Sequence, residues 1–288
     1  MLSANAKWKH NDLLMSLPQS DAPPGTGRLR FERVANRTAV VEAYASSPLK
    51  FVNPSNHGSA AWVVSGTYGG GLLGGDAIGL TIDARERTQA VLMTQASTKV
   101  YRSDVPASQT LDCTVGAGAL FVSAPDRVAC FAGSALRQTQ KYTLAPDASL
   151  VVVDWISAGR LESGERWQFD RYCNRIEIWQ NERQRFLDAL ALDAQHGPLA
   201  DRMRRFNTLA TVVIVGPQVA QGAAALATAI SEPALEKRVA TRVAASPLGD
   251  DGIVLRCAGV DVEALGKTLR AALKFVCEII GDDPWARW

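Results

Sequence analysis

Between about Gly27 and Leu192 the chain is cut into short apolar or alternating runs, each closed by turn residues. "LRFERV", "AVVEAYA", "AWVVS", "AVLMTQ", "TLDCTV", "ALFVSA", "SLVVVDW" and "RIEIW" all have strand length and strand period. That rhythm restricts the fold to a sandwich, a barrel or a stack of β layers. Three segments also share one plan: Thr81 to Thr94, Thr114 to Pro125 and Thr143 to Trp155. Each is a threonine-led strand, a short turn, a small residue and a buried strand, with Ala90, Ala119 and Ser149 spaced 29 and 30 positions apart. A period of this size fits layers that bury their faces on one another, and an antiparallel meander fits the same strings.

The pattern changes after His196. Pro198 to Asn207 reads as a helix opened by proline, "TLATVVIVG" as a buried strand, and the alanine-rich stretch from Pro217 to Ala240 as a helix broken at Pro233. "GIVLRC" is a strand. From Asp261 to Ile280, Val262, Leu265, Leu269, Leu273, Val276 and Ile280 keep the 3.6-residue period of an amphipathic helix. The expected organisation is a peripheral, poorly ordered segment over 1–26 and a single domain over 27–288. Within it, 27–192 forms a β-rich core and 193–288 a mixed α/β portion packed on it.

Two glycine-containing stretches imitate nucleotide sites. Gly69, Gly71 and Gly74 satisfy G-x-G-x-x-G, but Ile78, Leu80 and Ile82 follow in strand alternation where a helix N-terminus is required. The glycines are expected to enter a strand pair through tight turns, with Asp76 bonding the turn backbone. Gly266-Lys267-Thr268 lacks the earlier glycine of a P-loop, has Asp261 in its place and falls in mid-helix. No nucleotide is expected on this chain. A net charge of +2 gives no reason to expect a polyanion partner. The odd and scattered cysteines (Cys113, Cys130, Cys173, Cys257, Cys277) read as buried, reduced thiols, and no secretory leader is evident, so the expected compartment is cytoplasmic. His10, His57 and His196 read as ordinary surface histidines.

Two stretches are more polar than packing demands. Met93 to Ser103 strings Thr94, Gln95, Thr98, Lys99, Tyr101 and Arg102 along one strand-like segment, either an exposed strand face or a surface for a partner or anion. Asp154 to Tyr172 sets Asp154, Glu162 and Glu165 among Arg160, Arg166, Gly159 and Gly164. Such carboxylates could work as a glycosidase pair, could line a polar channel, or could sit in a surface hairpin neutralised by arginine. With neither G-x-S-x-G nor H-E-x-x-H present, the residues favour a scaffold over an enzyme.

These stretches resemble the urease accessory protein family UreD, also called UreH. The family's G-G-[IL]-[LV]-x-G-D segment is matched by "GGGLLGGD", with Gly70, Gly74, Gly75 and Asp76; its T-T-Q-x-[AS]-T-K-[VF]-Y-[RK]-S segment by "MTQASTKVYRS". Its D-W-x-x-x-G-R-x-x-x-G-E-x-[WF] segment is matched by "DWISAGRLESGERW", with Gly159, Arg160, Gly164 and Trp167. Met93 stands where the family has threonine, and "SGTYG" where it has an H-P-P run. The resemblance runs from about Gly27 to the C-terminus, loosely in the last third. It implies a mostly β fold, a stacked, β-helix-like array of short strands with a few helices mainly in the C-terminal third. It implies a non-catalytic maturation factor that joins UreF and, through it, the GTPase UreG, docks on apo-urease and assists nickel insertion, with a dimer of such heterocomplexes among its assemblies. No cofactor is expected to stay bound; nickel in transit would meet Asp76, Asp154, Glu162 or Glu165 along a polar internal path. The alternatives on the residues alone are a β-solenoid carbohydrate-active enzyme and a generic β-rich interaction module.

Overall fold

The computed structural model describes residues 22–55, 58–231 and 238–286. Pro233, His10, His57 and most of the segment 1–26 lie outside the described residues. Two mixed sheets face one another. The first has the order β14 (Arg183–Asp193), β13 (Arg171–Gln180), β11 (Ala135–Leu144), β8 (Ala107–Val115), β5 (Ala77–Ala84), β1 (Thr26–Val34), β2 (Arg37–Ala45). The second has the order β16 (Thr241–Pro247), β17 (Gly252–Gly259), β15 (Thr208–Val215), β12 (Ser149–Ser157), β9 (Leu120–Ala124), β6 (Gln89–Thr94), β4 (Ala61–Thr67), β3 (Leu49–Val52). Short β10 (Val128–Cys130) and β7 (Thr98–Val100) join it beside β12.

From β4 to β13 the chain passes repeatedly between the sheets. Consequently β5, β8, β11 and β13 are parallel neighbours in one sheet, and β4, β6, β9 and β12 in the other. The three similar segments are three of these passages, at the turns Arg85–Thr88, Gly116–Ala119 and Ala145–Ala148. The turns stack on one another: Gly116 N donates to Ala84 O and Ala145 N to Val115 O. The register refines the spacing, because Leu120 faces Gln89 on one side and Ser149 on the other.

The expectation of a mostly β chain with its helices late in the sequence stands. Its finer form does not follow from the sheets: neither closes on itself, and each is parallel in the middle and antiparallel at both ends. A plain meander is excluded by the parallel centres. The glycine-rich stretch was expected to lead into a strand pair and does not, since β5 and β6 lie in different sheets. Likewise Asp154 to Tyr172 is no hairpin: β12 and β13 belong to opposite sheets, joined by a 3₁₀ turn at Leu161–Ser163. In both cases alternation and turn residues were legible, while the partner of each strand lay one passage away in sequence.

The second sheet is covered on its outer face by α2 (Ala220–Ser231), α3 (Val262–Ala272) and α4 (Lys274–Ile280); a short α1 (Leu199–Met203) precedes β15. This is why β12 reads "SLVVVDWIS" with every residue buried: Val151, Val153 and Trp155 meet the helix layer, and Leu150, Val152 and Ile156 the opposite sheet. The long C-terminal helix of the sequence pattern is two helices, bent at Leu273, which leaves helical geometry while keeping its side chain buried. Asp261 caps the first, its carboxylate accepting from Ala264 N at 2.6 Å. Gly266-Lys267-Thr268 falls inside α3, with Gly266 buried.

Candidate functional site

The space between the sheets is filled by two apolar clusters. One holds Phe121, Tyr142, Val152, Ile176 and Val213; the other Leu136, Ile156, Tyr172 and Leu199. Between them the apolar phase is interrupted on strand after strand. On β11 the inner positions run Leu136, Gln138, Gln140, Tyr142, Leu144; on β13, Tyr172, Asn174, Ile176; on β12, Val152, Asp154, Ile156. The result is a polar layer laid across the strands.

Asp154 is its centre. Only 6% exposed, it accepts from Gln138 Nε2 at 2.7 Å and Gln140 Nε2 at 2.9 Å through Oδ1, and from Asn174 Nδ2 at 2.8 Å through Oδ2. Gln140 Oε1 accepts in turn from the Tyr142 hydroxyl at 2.9 Å. Burial pushes the Asp154 carboxyl up to about 6; the amide donors pull against that shift, and the nearby charge of Asp188 adds to it. The buried Tyr172 hydroxyl lies beside Asp154, and burial, with the Asp154 charge, raises its pKa.

A cavity of about 560 Å³ opens onto this layer. Asp154, Gln138, Gln140, Gln109 and Ser123 form its inner wall, and Lys50, Tyr68, Gly69, Gly70 and Lys99 its mouth. Thr94, Gln95, Thr98 and Asp126 line the side between them, with Thr94 Oγ1 accepting from Asp126 N at 2.8 Å. Two motifs distant in sequence, the glycine-rich turn and the threonine-rich segment, thus meet at one opening. The segment Met93 to Ser103 is not one strand: β6 ends at Thr94, and the chain breaks direction before β7.

The other sequence candidates lie elsewhere. Asp76 holds its own turn, Oδ2 accepting from Leu73 N at 2.8 Å, as expected from the sequence. Gly75 is in the left-handed region at φ 83°, and Gly74 sits so close to Ser103 and Val105 O that no side chain fits. Tyr101 packs edge-on against Phe131, and Arg102 covers Gly133. Glu165 binds Arg160 and accepts from Ala132 N at 3.1 Å, and Arg160 holds its carboxyl below the usual range. Neither Glu162 nor Glu165 reaches the cavity wall that holds Asp154. Gly159 (φ 110°) and Gly164 (φ 76°) turn this loop, and buried Trp167 anchors it, Nε1 donating to Phe206 O at 2.8 Å.

Gln109, Gln138, Gln140, Asn174, Ser123 and Asp126 were missed from sequence. For Gln138, Gln140 and Asn174 the signal was present: in "LRQTQKYTL" and "YCNRIEI", glutamine and asparagine occupy the apolar phase of strands otherwise leucine, tyrosine and isoleucine inside. Among the described residues, no group of three or more His, Cys, Asp or Glu side chains converges as a metal site. The thiols of Cys113, Cys130 and Cys257 are buried, whereas Cys173 and Cys277 are half-buried.

The fold and its interior define a two-sheet β protein with a buried polar layer opening onto a cavity and no convergent metal centre among the described residues. The sequence comparisons agree on the family. The family model described as "UreD urease accessory protein" matches residues 24–287. A urease accessory protein UreD of Sorangium cellulosum is 49% identical over 263 residues, 91% of this chain and 84% of its own length. One of Anaeromyxobacter is 43% identical, covering 94% of this chain and 91% of its own. Urease accessory protein D of Oryza sativa subsp. indica is 40% identical over 69% of this chain and 67% of its own. The chain belongs to the UreD urease accessory protein family.

Proposed function

We propose that this chain is a non-catalytic cytoplasmic maturation factor that bridges apo-urease to a UreF–UreG module and passes nickel toward the urease active site through the polar layer. The observation that carries the reading is Asp154, a buried carboxylate in a chain of this family, set among amide and hydroxyl groups at the end of an open cavity. Nickel is cargo here. Carboxylate, amide and hydroxyl oxygens hold it less firmly than the imidazole and thiolate ligands of storage sites, which favours passage over retention. Asp126, further out along the same wall, supplies a second carboxylate on the way in.

The test is urease nickel content in cells that carry the urease genes with this gene deleted, then restored intact or as Asp154→Leu. Nickel-poor urease, rescued by the intact gene and not by a folded, partner-binding Asp154→Leu chain, is expected. Fully loaded urease in the deletion strain refutes the maturation role. Full rescue by Asp154→Leu refutes the passage through Asp154 while leaving the scaffold role intact.

A further inference from the structure

The polar layer does not stop at Asp154. On the second sheet Asp154 faces Thr211 across the β12–β15 ladder, and Thr211 faces Arg256 across the β15–β17 ladder. On the first sheet the inner side of β14 carries Asp188 between Phe186 and Leu190, which pack on the two different apolar clusters. Across the β13–β14 ladder Asp188 faces Ile176, the inward position next after Asn174, whose own partner is Leu190. At this far edge Arg256 spans the gap between the sheets. Its Nη1 donates to Asp188 Oδ2 at 2.6 Å and Nη2 to Asp188 Oδ1 at 2.8 Å, a two-pronged pair; Nη1 also donates to Thr211 Oγ1 at 2.6 Å.

We propose that Arg256 is a plug closing a second mouth of the layer, opposite the cavity, and that it opens by turning its guanidinium outward. The proposal rests on the reading of the layer as a cation passage. Three observations support it. The Arg256 side chain is 48% exposed while that of Asp188 is 14% exposed, so Arg256 has solvent to turn into and Asp188 stays at the layer. Asp154, Thr211 and Arg256 lie side by side on the second sheet, and Asp188, held by Arg256, is near enough for its charge to act on Asp154. The plug is itself a cation seated on a carboxylate and a hydroxyl, the place and the ligands a passing dication would take. A dication arriving at Asp154 repels the guanidinium and competes for Asp188, so entry of cargo at one end favours release of the plug at the other.

The closure is tested by thiol access. A reporter cysteine is placed in the layer by Asn174→Cys, and its reaction with a small cationic methanethiosulfonate is timed in the otherwise intact chain and with Arg256→Ala. The same Arg256 change without the reporter gives the background from the native thiols. Arg256→Ala is expected to speed labelling about tenfold, the factor that one charge-assisted pair can hold in a closed equilibrium. Arg256→Lys should fall between, since an ammonium cannot make the forked contact. Arg28→Ala, which breaks the exposed pair with Glu42 at the other end of the first sheet, should change nothing. If Asn174→Cys does not fold, Thr211→Cys carries the same comparison. Equal rates with and without Arg256 in a folded reporter overturn the plug. Labelling rates do not depend on urease, so failure of the plug and failure of the maturation reading are read separately.

Discussion

Replacing Asp154 by asparagine isolates the energetic cost of a carboxylate at the centre of the layer. The Asp154 carboxyl stands near 6 in the folded protein against 3.8 when unperturbed. Between those values the native state holds a proton that the unfolded state has released, so stability falls as pH rises through the window and levels off above it. A difference of roughly two units corresponds to about 3 kcal/mol carried against folding at neutral pH. Asparagine carries none of it. Its amide does meet the Asn174 donor that now bonds Oδ2, a loss that does not vary with pH. The assay is urea unfolding of both chains at steps from pH 4 to 7.5, compared as a difference. That subtraction removes acids that shift the other way, such as Glu165 and Glu177, whose arginine partners Arg160 and Arg175 hold them below the usual range. The stability of Asp154→Asn relative to the native chain should climb by about 3 kcal/mol across the window. A difference that stays flat from pH 4 to 7.5 refutes the buried, desolvated carboxylate and with it the electrostatics assigned to the layer.

Gly222 in α2 lies against the ring of Phe275 in α4, so Gly222→Ala should destabilise by roughly 1–3 kcal/mol in denaturant unfolding, where an open helix site would gain about 1 kcal/mol. Asp261→Ala removes the cap on Ala264 N and should cost about 1 kcal/mol by the same measurement, with serine recovering most of it. Burial holds the Cys130 and Cys257 thiols near 12 and keeps Cys113 well above its ordinary value. Titration with a chromogenic disulfide at pH 8 should therefore leave these three silent in the folded chain and find all five thiols in denaturant; fast native reaction of the buried three would contradict the packing.

The amino-acid pattern made the strands, the late helices and most of their ends legible, because burial on one or two faces leaves a period that can be read locally. Helix α3 and its Asp261 cap, the strand "TLATVVIVG" and the turn held by Asp76 all follow from neighbours within a few residues. Sheet membership did not. Whether β5 pairs with β6 or with β8 depends on a contact some 30 residues away, and alternation is identical in either arrangement. Edge strand β16 was overlooked for a related reason: with both faces half exposed, "TRVAASP" has no clear alternation. The site was half legible. Asp154 stood out as a charge in a run of valines, whereas Gln138, Gln140 and Asn174 looked like ordinary polar strand residues until their phase was compared with that of the leucines around them. Glu162 and Glu165 attracted notice through the same loop as Asp154, but proximity in sequence put them beyond the end of β12, where a strand residue and a loop residue share no wall.

The crossings between sheets also bear on how the chain can vary in length. Each inner side chain of β12 owes its direction to strict alternation, so one residue inserted between Ser149 and Asp154 would turn the carboxylate toward the helix layer and bring a neighbour inward. The same insertion in β11 or β13 would withdraw Gln140 or Asn174 from their partner. Substitutions within these strands change the chemistry of the layer one group at a time; single insertions and deletions abolish it at a stroke. Length changes are absorbed only outside the strands, as in the loop from Ala158 to Asp170, where no side chain of the layer is counted from. The molecule tolerates new letters in its polar seam far more readily than a shifted frame.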